Sequence, residues 1–189
     1  MGKERLIAFT DAVLAIIMTI LVLELEKPAD ASFAALWALK ENFFAYALSF
    51  FWLGTMWVNL HNEWHDISQV SKAVVWWSVI LLFFSSLIPY AIRFVNVDYN
   101  SGVSQGFYGI MVLLVTFANV GLNRALEKAN HHEKEVKEDI ANGRKRLYLD
   151  IGIKVVGLII TLTVYPSAMM ISVLITMAFM MIPIRRQQT

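Results

Sequence analysis

Six long runs of apolar residues follow one another along the 189-residue chain. A bilayer core of about 30 Å is crossed by about 20 helical residues, so six spans use roughly 120 residues. The predicted spans are residues 5–25, 36–60, 72–95, 103–126, 147–165 and 167–184. We therefore predict an all-α, polytopic membrane protein with one six-helix transmembrane domain over residues 1–189.

The composition excludes several other classes of protein. Hydrophobic residues make up 58% of the chain and charged residues 16%, against about 25% charged residues in soluble domains. A soluble enzyme or a disordered tail does not fit this excess, and the absence of cysteine removes disulfides and cysteine metal sites. A net charge of +1 gives no reason to expect nucleic acid binding. A β-barrel has alternating segments of about ten residues, and these runs are twice as long.

Basic residues are distributed unevenly between the two predicted sides of the membrane. One side carries Lys3, Arg5, Lys72, Arg124, Lys128, Lys134, Lys137, Arg144, Lys145, Arg146, Arg185 and Arg186, the other only Lys27, Lys40 and Arg93. Cytoplasmic loops are enriched in lysine and arginine. We therefore expect a multi-pass protein of the cell membrane with both termini and the charged segment 127–146 in the cytoplasm.

Asp11 lies inside the first predicted span, about four residues from its cytoplasmic end. A carboxylate in a membrane helix is costly and faces protein or water. The end of an antiparallel second helix offers Trp57, His61 and Asn62 as partners. The favoured interpretation is a polar clamp between the two helices, and a proton-relay carboxylate is the alternative.

One face of the first helix carries Ile16, Thr19, Leu23 and Glu26, spaced three or four residues apart. We call these four residues the first-helix stripe. The other faces are also apolar, so periodicity does not identify the face that meets lipid. Taken alone, the stripe predicts ordinary packing.

The same helix contains a motif, Arg5-x-x-x-Phe9-Thr10-Asp11, followed by Ala12-Val13-x-Ala15-Ile16 and Met18-Thr19-x-Leu21-Val22-Leu23-Glu24. It resembles the Arg-x-x-x-Phe-Ser-Asp signature of the endolysosomal potassium channel family and its prokaryotic relatives with one six-helix repeat. Thr10 replaces the usual serine and keeps the hydroxyl. The second helix matches more loosely, at Trp57 and His61 among others.

The resemblance implies a homotetramer whose first helices surround the pore. By position, the residues implied to line its narrowest part are Ile16, Thr19 and Leu23. The motif implies a structural network of Arg5, Phe9, Thr10 and Asp11, with His61 and Trp57 from the second helix. Glu24 and Glu26 are expected at the outer mouth, where carboxylates attract cations.

The expected activity is passive conduction of potassium in preference to sodium, with no cofactor. The chain lacks a Thr-Val-Gly-Tyr-Gly segment, so rings of isoleucine, threonine and leucine side chains are expected to replace the familiar carbonyl filter. A secondary ion or proton-coupled transporter is the main alternative, but paired interrupted helices are not evident. A membrane enzyme is a second alternative, and His61 and His65 have the spacing of metal ligands without a matching motif; no metal site is expected.

Gly102 and Gly106 are four residues apart at the start of the fourth predicted span. This spacing occurs in close helix packing. Because the pair follows a polar turn, we interpret it as a loop and helix start.

Overall fold

A computed structural model of the chain describes residues 2–65, 67–130 and 134–181, without the side chains of residues 65 and 134–144. All regular structure in these ranges is helical, which confirms the all-α prediction. The α-helices are α1 (Lys3–Ile20), α2 (Phe33–Ala38), α3 (Lys40–His65), α4 (Lys72–Ser86), α5 (Ile88–Val97), α6 (Gly102–Ala129), α7 (Lys134–Thr163) and α8 (Ala168–Met181). A 3-10 turn, Leu21–Glu24, extends α1.

The second predicted span, 36–60, does not form one helix. A short helix, α2, begins before this span and covers its first three residues; it is capped by Ser32, whose Oγ accepts the N–H of Ala35 at 3.1 Å. The chain leaves helical geometry at Leu39, and α3 then runs from Lys40 to His65, beyond the predicted end. Serine at the position before a helix satisfies one of its unpaired N–H groups, which explains where α2 begins.

The third predicted span, 72–95, is divided into α4 and α5. Ser71 caps α4 by accepting the N–H of Val74 at 3.3 Å. Pro89 occupies the first turn of α5, where its missing N–H costs nothing, while its ring prevents α4 from continuing unbroken. Together the two helices still give an apolar span of 26 residues.

The remaining helices differ from the prediction at their ends. α6 extends to Ala129, three residues beyond the predicted end at 126. Within the charged segment 127–146, residues 127–129 belong to the end of α6 and residues 134–146 to the first part of α7. The fifth span ends at Thr163 rather than 165. α8 begins at Ala168, and the predicted end of the sixth span at 184 lies outside the described residues.

Four helical segments in the described part of the chain are long and apolar enough to cross a membrane, against six predicted. They are Lys3–Glu24, Lys40–Trp64, Lys72–Val97 and Gly102–Ala129. α7 is apolar only over its second part, residues 147–163, which is about 25 Å of helix, and α8 covers about 21 Å as far as it is described. Within the described residues, both lengths are below the bilayer core of about 30 Å, and α8 is described only as far as Met181.

α6 is the central helix, and α1 lies at the edge of the bundle. α6 packs against α4, α5, α7 and α8, whereas α1 contacts α3, α4 and α5. In the membrane-spanning part of α6, 67% of the residues are buried, against 28% in that of α1. Most of the surface of α1 is therefore not covered by the rest of its own chain.

Glycines allow α6, α7 and α8 to approach closely. A Cβ on Gly106 would lie 2.8 Å from Cδ2 of Leu162 on α7, and one on Gly157 would lie 2.5 Å from Oγ of Ser172 on α8. Gly102 is the first residue of α6, which agrees with its interpretation as a helix start. That interpretation misses the role of Gly106, which lets α6 pack closely against α7 of the same chain.

Candidate conduction site on the first helix

The two sides of α1 have opposite surroundings. One side is buried against the rest of the chain and carries Leu6, Thr10, Leu14, Ile17 and Leu21. Ile16, Thr19 and Leu23 of the first-helix stripe lie on the other side, where Ile16 is 58% exposed, Leu23 is 76% exposed and Thr19 is also exposed. Ile16, Thr19 and Leu23 therefore face away from the core of their own chain. The prediction that Glu26 shares this helical face is wrong, because the helical part of the chain ends at Glu24 and Leu25 is extended.

Thr19 presents an oxygen on the exposed side of α1. Its hydroxyl donates a hydrogen bond of 2.8 Å to the carbonyl oxygen of Ile16 on the same helix. A hydroxyl has one proton and two acceptor lone pairs. Because the proton is used within the helix, the lone pairs remain to accept a hydrogen bond or to coordinate a cation.

The last turn after α1 has 3-10 geometry, and a hydrogen bond from α5 fixes its position. Leu23 lies in the 3-10 turn Leu21–Glu24, after which Leu25 adopts an extended conformation. Nδ2 of Asn96 on α5 donates a 2.9 Å hydrogen bond to the carbonyl oxygen of Glu24. This bond satisfies one of the carbonyl groups left free at a helix end and fixes the last turn of the stripe to α5.

The two predicted outer-mouth carboxylates have different environments. Glu24 is half-buried at the end of the 3-10 turn, and Glu26 is exposed just beyond it. Glu26 is therefore the carboxylate with the more open surroundings.

At the other end of α1, the predicted clamp residues come from two helices. Nε1 of Trp57 on α3 donates a 2.8 Å hydrogen bond to Oδ1 of Asp11. The ring of His61 lies one turn further along α3, 5.9 Å from the ring of Trp57 between centroids. Of the two network residues expected from the second helix, Trp57 is the one that hydrogen-bonds Asp11, and His61 contacts Trp57.

The other motif residues do not join this cluster. Thr10 is buried, and its hydroxyl donates to the carbonyl oxygen of Leu6 at 2.9 Å. Arg5 and Phe9 are exposed. The structure thus brings together Asp11, Trp57 and His61, while Arg5 and Phe9 lie on the open side of α1.

A buried ion pair in α7 was not among the predicted sites. Nζ of Lys154 lies 2.7 Å from Oδ2 of Asp150 and 3.1 Å from Oγ1 of Thr116 on α6, and it lies 5.0 Å from the ring centroid of Trp52. The signal was present in the sequence, since opposite charges four residues apart in an apolar segment face each other on a helix.

The described residues contain no group of three or more histidine, cysteine, aspartate or glutamate side chains able to hold a metal ion. Of the histidines considered as metal ligands, only His61 has a described side chain. His131, His132 and the side chain of His65 lie outside the described residues.

The structure and sequence are similar to those of known channels. Residues 5–89 match the model of the endosomal/lysosomal potassium channel TMEM175 family. A potassium channel of Chryseobacterium sp. (strain P1-3) is 34% identical over 158 residues, covering 84% of this chain and 82% of that protein. A potassium channel of Streptomyces collinus is 27% identical over 135 residues, covering 67% and 66%.

A solved structure shows the same fold. The crystal structure of a lysosomal potassium-selective channel TMEM175 homolog from Chamaesiphon minutus matches with a TM-score of 0.81 and 20% sequence identity, over 94% of this chain and 95% of that one. The Chryseobacterium match extends over 84% of this chain, and the family model matches the first helices. Both findings agree with the resemblance that the motif shows. The chain therefore belongs to the TMEM175 family of potassium channels, among the prokaryotic members of that family.

Proposed function

We propose that this chain forms a homotetrameric, passive cation channel that favours potassium over sodium, with Ile16, Thr19 and Leu23 of the first-helix stripe lining the pore. One observation carries the proposal: α1 buries one side in its own subunit and leaves these three residues on its open side. Four such helices around a common axis would turn Ile16, Thr19 and Leu23 inward as three stacked rings. As a member of a channel family, the chain is not an enzyme.

The chemistry of the three rings supports selection without a carbonyl filter. Rings of isoleucine and leucine form apolar constrictions that water leaves readily, and such constrictions gate by dewetting. Between them, the Thr19 hydroxyls have their protons committed to Ile16 carbonyl groups. Their free lone pairs would offer oxygens to a partly dehydrated cation, so the permeant ion is held at Thr19 and delayed at the two apolar rings.

The ends of the helix would have different tasks. Glu26, exposed beyond the last turn, and Glu24 next to it would raise the cation concentration at the outer mouth. At the other end, the Asp11–Trp57 hydrogen bond would hold α1 against α3 so that the rings keep their register. The excess of lysine and arginine in the predicted cytoplasmic loops and termini supports a cell-membrane protein with both termini in the cytoplasm.

The test is reconstitution of the pure, full-length chain. We expect native mass spectrometry to give four copies per particle, and planar-bilayer recordings under bi-ionic conditions to give a reversal potential set mainly by potassium. A dimeric particle would contradict the tetramer. Flux that saturates at low turnover with a fixed coupling ratio would instead indicate the transporter alternative. Equal potassium and sodium permeability would contradict the proposed selectivity.

A further inference from the structure

The connection between α3 and α4 is held by one side chain from another helix. Asn130 caps the end of α6 and is 3% exposed. Its Oδ1 accepts the N–H groups of Ser68 and Gln69 at 3.1 and 2.9 Å. Its Nδ2 donates to the carbonyl oxygens of Gln69 and Leu126 at 3.2 and 2.9 Å. The amide therefore uses both of its protons and both oxygen lone pairs, and it fixes residues 67–71 to the end of α6.

The same connection accepts a hydrogen bond from the start of α1. Nζ of Lys3, the first residue of α1, donates to the carbonyl oxygen of Ile67. The side chain of Ile67 is 2% exposed and belongs to the hydrophobic core. Ile67 is followed directly by Ser68 and Gln69, the two residues that Asn130 binds. Residues 67–69 therefore link the first residue of α1 to the end of α6.

α1 has less packed surface than the other long apolar helical segments in the described part of the chain. In its membrane-spanning part 28% of the residues are buried, against 44%, 50% and 67% in the other three. Helices in a membrane are held together by side-chain packing and by hydrogen bonds between helices. Because α1 has little packing, its position depends more on individual hydrogen bonds.

The opposite end of α1 is held by a second asparagine. Nδ2 of Asn96 on α5 donates to the carbonyl oxygen of Glu24 at 2.9 Å. Asn96 thus acts directly on the end of the 3-10 turn, whereas Asn130 reaches Lys3 through the α3–α4 connection. The two asparagines act on opposite ends of the same helix, so each is a control for the other.

We propose that Asn130 is a positioning residue for α1: it fixes residues 67–71, and these fix the N-terminal end of α1 through Lys3. The consequence for conduction rests on the proposed function, in which four α1 helices line the pore. When the N-terminal ends move, all four open sides face the axis for a smaller fraction of the time. Loss of the Asn130 bonds should therefore lower the open probability and leave the selectivity of the three rings unchanged.

Hydrogen–deuterium exchange of the full-length protein in detergent tests the positioning role without requiring conduction. Asn130→Ala removes buried hydrogen bonds, so local opening should become at least about tenfold more frequent. We expect faster exchange of the amides of residues 67–71 and of residues 3–9, the first two turns of α1, with no change in α8. Faster exchange at residues 67–71 alone would overturn the proposal, and so would equal acceleration in α8.

Lys3→Met tests the order of these contacts, because it keeps an apolar stem and removes the ammonium donor. Exchange should become faster in residues 3–9 and stay unchanged in residues 67–71. Because both variants break the same link, combining Lys3→Met with Asn130→Ala should not accelerate exchange in α1 beyond the more affected single variant. Additive acceleration in α1 would show that Asn130 acts on α1 by another route and would overturn the proposal.

Asn96→Ala is the matched control at the other end of α1. It should accelerate exchange in residues 21–25 and leave residues 3–9 unchanged, which is the reverse of the pattern expected for Asn130→Ala. The same exchange pattern in the two variants would show that neither amide acts on one end of α1, and would overturn the proposal.

Planar-bilayer recordings test the consequence for conduction. The open probability should fall at least about fivefold in Asn130→Ala and in Lys3→Met, since one hydrogen bond of ordinary strength changes an equilibrium by about that factor. The bi-ionic reversal potential should not change. An unaltered open probability would overturn the role of Asn130 in conduction. Absence of current in the unaltered protein would contradict the proposed function instead, and the exchange experiment would still decide whether Asn130 positions α1.

Discussion

Trp57 on α3 donates a 2.8 Å hydrogen bond from its indole nitrogen to the carboxylate of Asp11 on α1. The bond joins two antiparallel helices at one end of the bundle. Asp11 and Trp57 are 46 residues apart in sequence. A hydrogen bond to an ionised group contributes more than a neutral one, roughly 1.5–3 kcal/mol when buried. Because this pair is partly exposed, about 1 kcal/mol is the appropriate scale.

The first prediction concerns this bond. Trp57→Phe keeps an aromatic ring beside His61 but removes the donor, so thermal stability and tetramer yield in detergent should both fall. Trp76→Phe is the control, because Trp76 is 67% exposed and a smaller ring at an exposed position should cost little.

Asp11→Asn separates the clamp from a proton relay. The amide keeps an oxygen that accepts from Trp57, so a clamp predicts near-normal assembly and unchanged dependence of the current on pH. Normal assembly accompanied by the loss of proton-dependent current would instead assign a relay role to Asp11.

The second prediction concerns the width and wetting of the proposed pore. Ile16→Asn should hydrate the isoleucine ring and raise sodium permeation, moving the bi-ionic reversal potential toward zero. Ile159→Asn on α7 is the control, because Ile159 is 57% exposed and Ile16 is 58% exposed. Identical reversal potentials in Ile16→Asn and the unaltered channel would remove Ile16 from the pore.

The third prediction concerns the oxygen of Thr19. Thr19→Val keeps the shape of the side chain and removes the oxygen, whereas Thr19→Ser keeps the hydroxyl. Losing one oxygen ligand worth about 1 kcal/mol corresponds to roughly a fivefold effect, and the tetramer loses four such ligands at once. Single-channel potassium conductance should therefore drop by at least about fivefold in Thr19→Val only. Equal conductance in the two variants would show that the hydroxyl does not meet the ion.

The fourth prediction uses ionic strength to test Glu26. Glu26→Gln should lower potassium conductance at 0.01 M salt, where charges act over about 30 Å, and have no effect near 1 M, where they act over about 3 Å. Glu26→Asp keeps the charge and should behave as the unaltered channel. A loss of conductance that is the same at both salt concentrations would indicate a structural effect instead of an electrostatic one.

The fifth prediction concerns packing at the centre of the bundle. A Cβ on Gly121 of α6 would lie 2.4–2.6 Å from three ring atoms of Trp77 on α4. Gly121→Ala should therefore cost about 1–3 kcal/mol of stability and lower the midpoint of thermal unfolding.

Two companion variants check this cause. Gly152→Ala has nothing within 4 Å of the new Cβ and should be neutral or raise the midpoint, because alanine favours a helix by about 1 kcal/mol over glycine. Combining Gly121→Ala with Trp77→Leu should recover part of the loss. Equal midpoints for the two alanine variants would show that Trp77 moves aside at no cost.

The sequence predicted features that depend on local composition. Transfer of an apolar segment into lipid depends on the residues within that segment, so the all-α membrane class follows from the hydropathy pattern alone. The motif from Arg5 to Asp11 identified the family for the same reason, since its residues are contiguous. Pro89 is evident in the sequence, but the break that it causes between α4 and α5 was not predicted.

Only the tertiary structure decided which side of α1 is covered. Every side of this helix is apolar, so Ile17 and Ile16 cannot be told apart by hydropathy, yet Ile17 is buried and Ile16 is exposed. The difference arises from contacts with α3, α4 and α5, which lie far away in sequence. The same reason explains why Trp57 was one of three candidate partners for Asp11, and why the surroundings of Lys154 were not predicted. Burial and pairing are properties of neighbouring helices, and a single segment does not contain them.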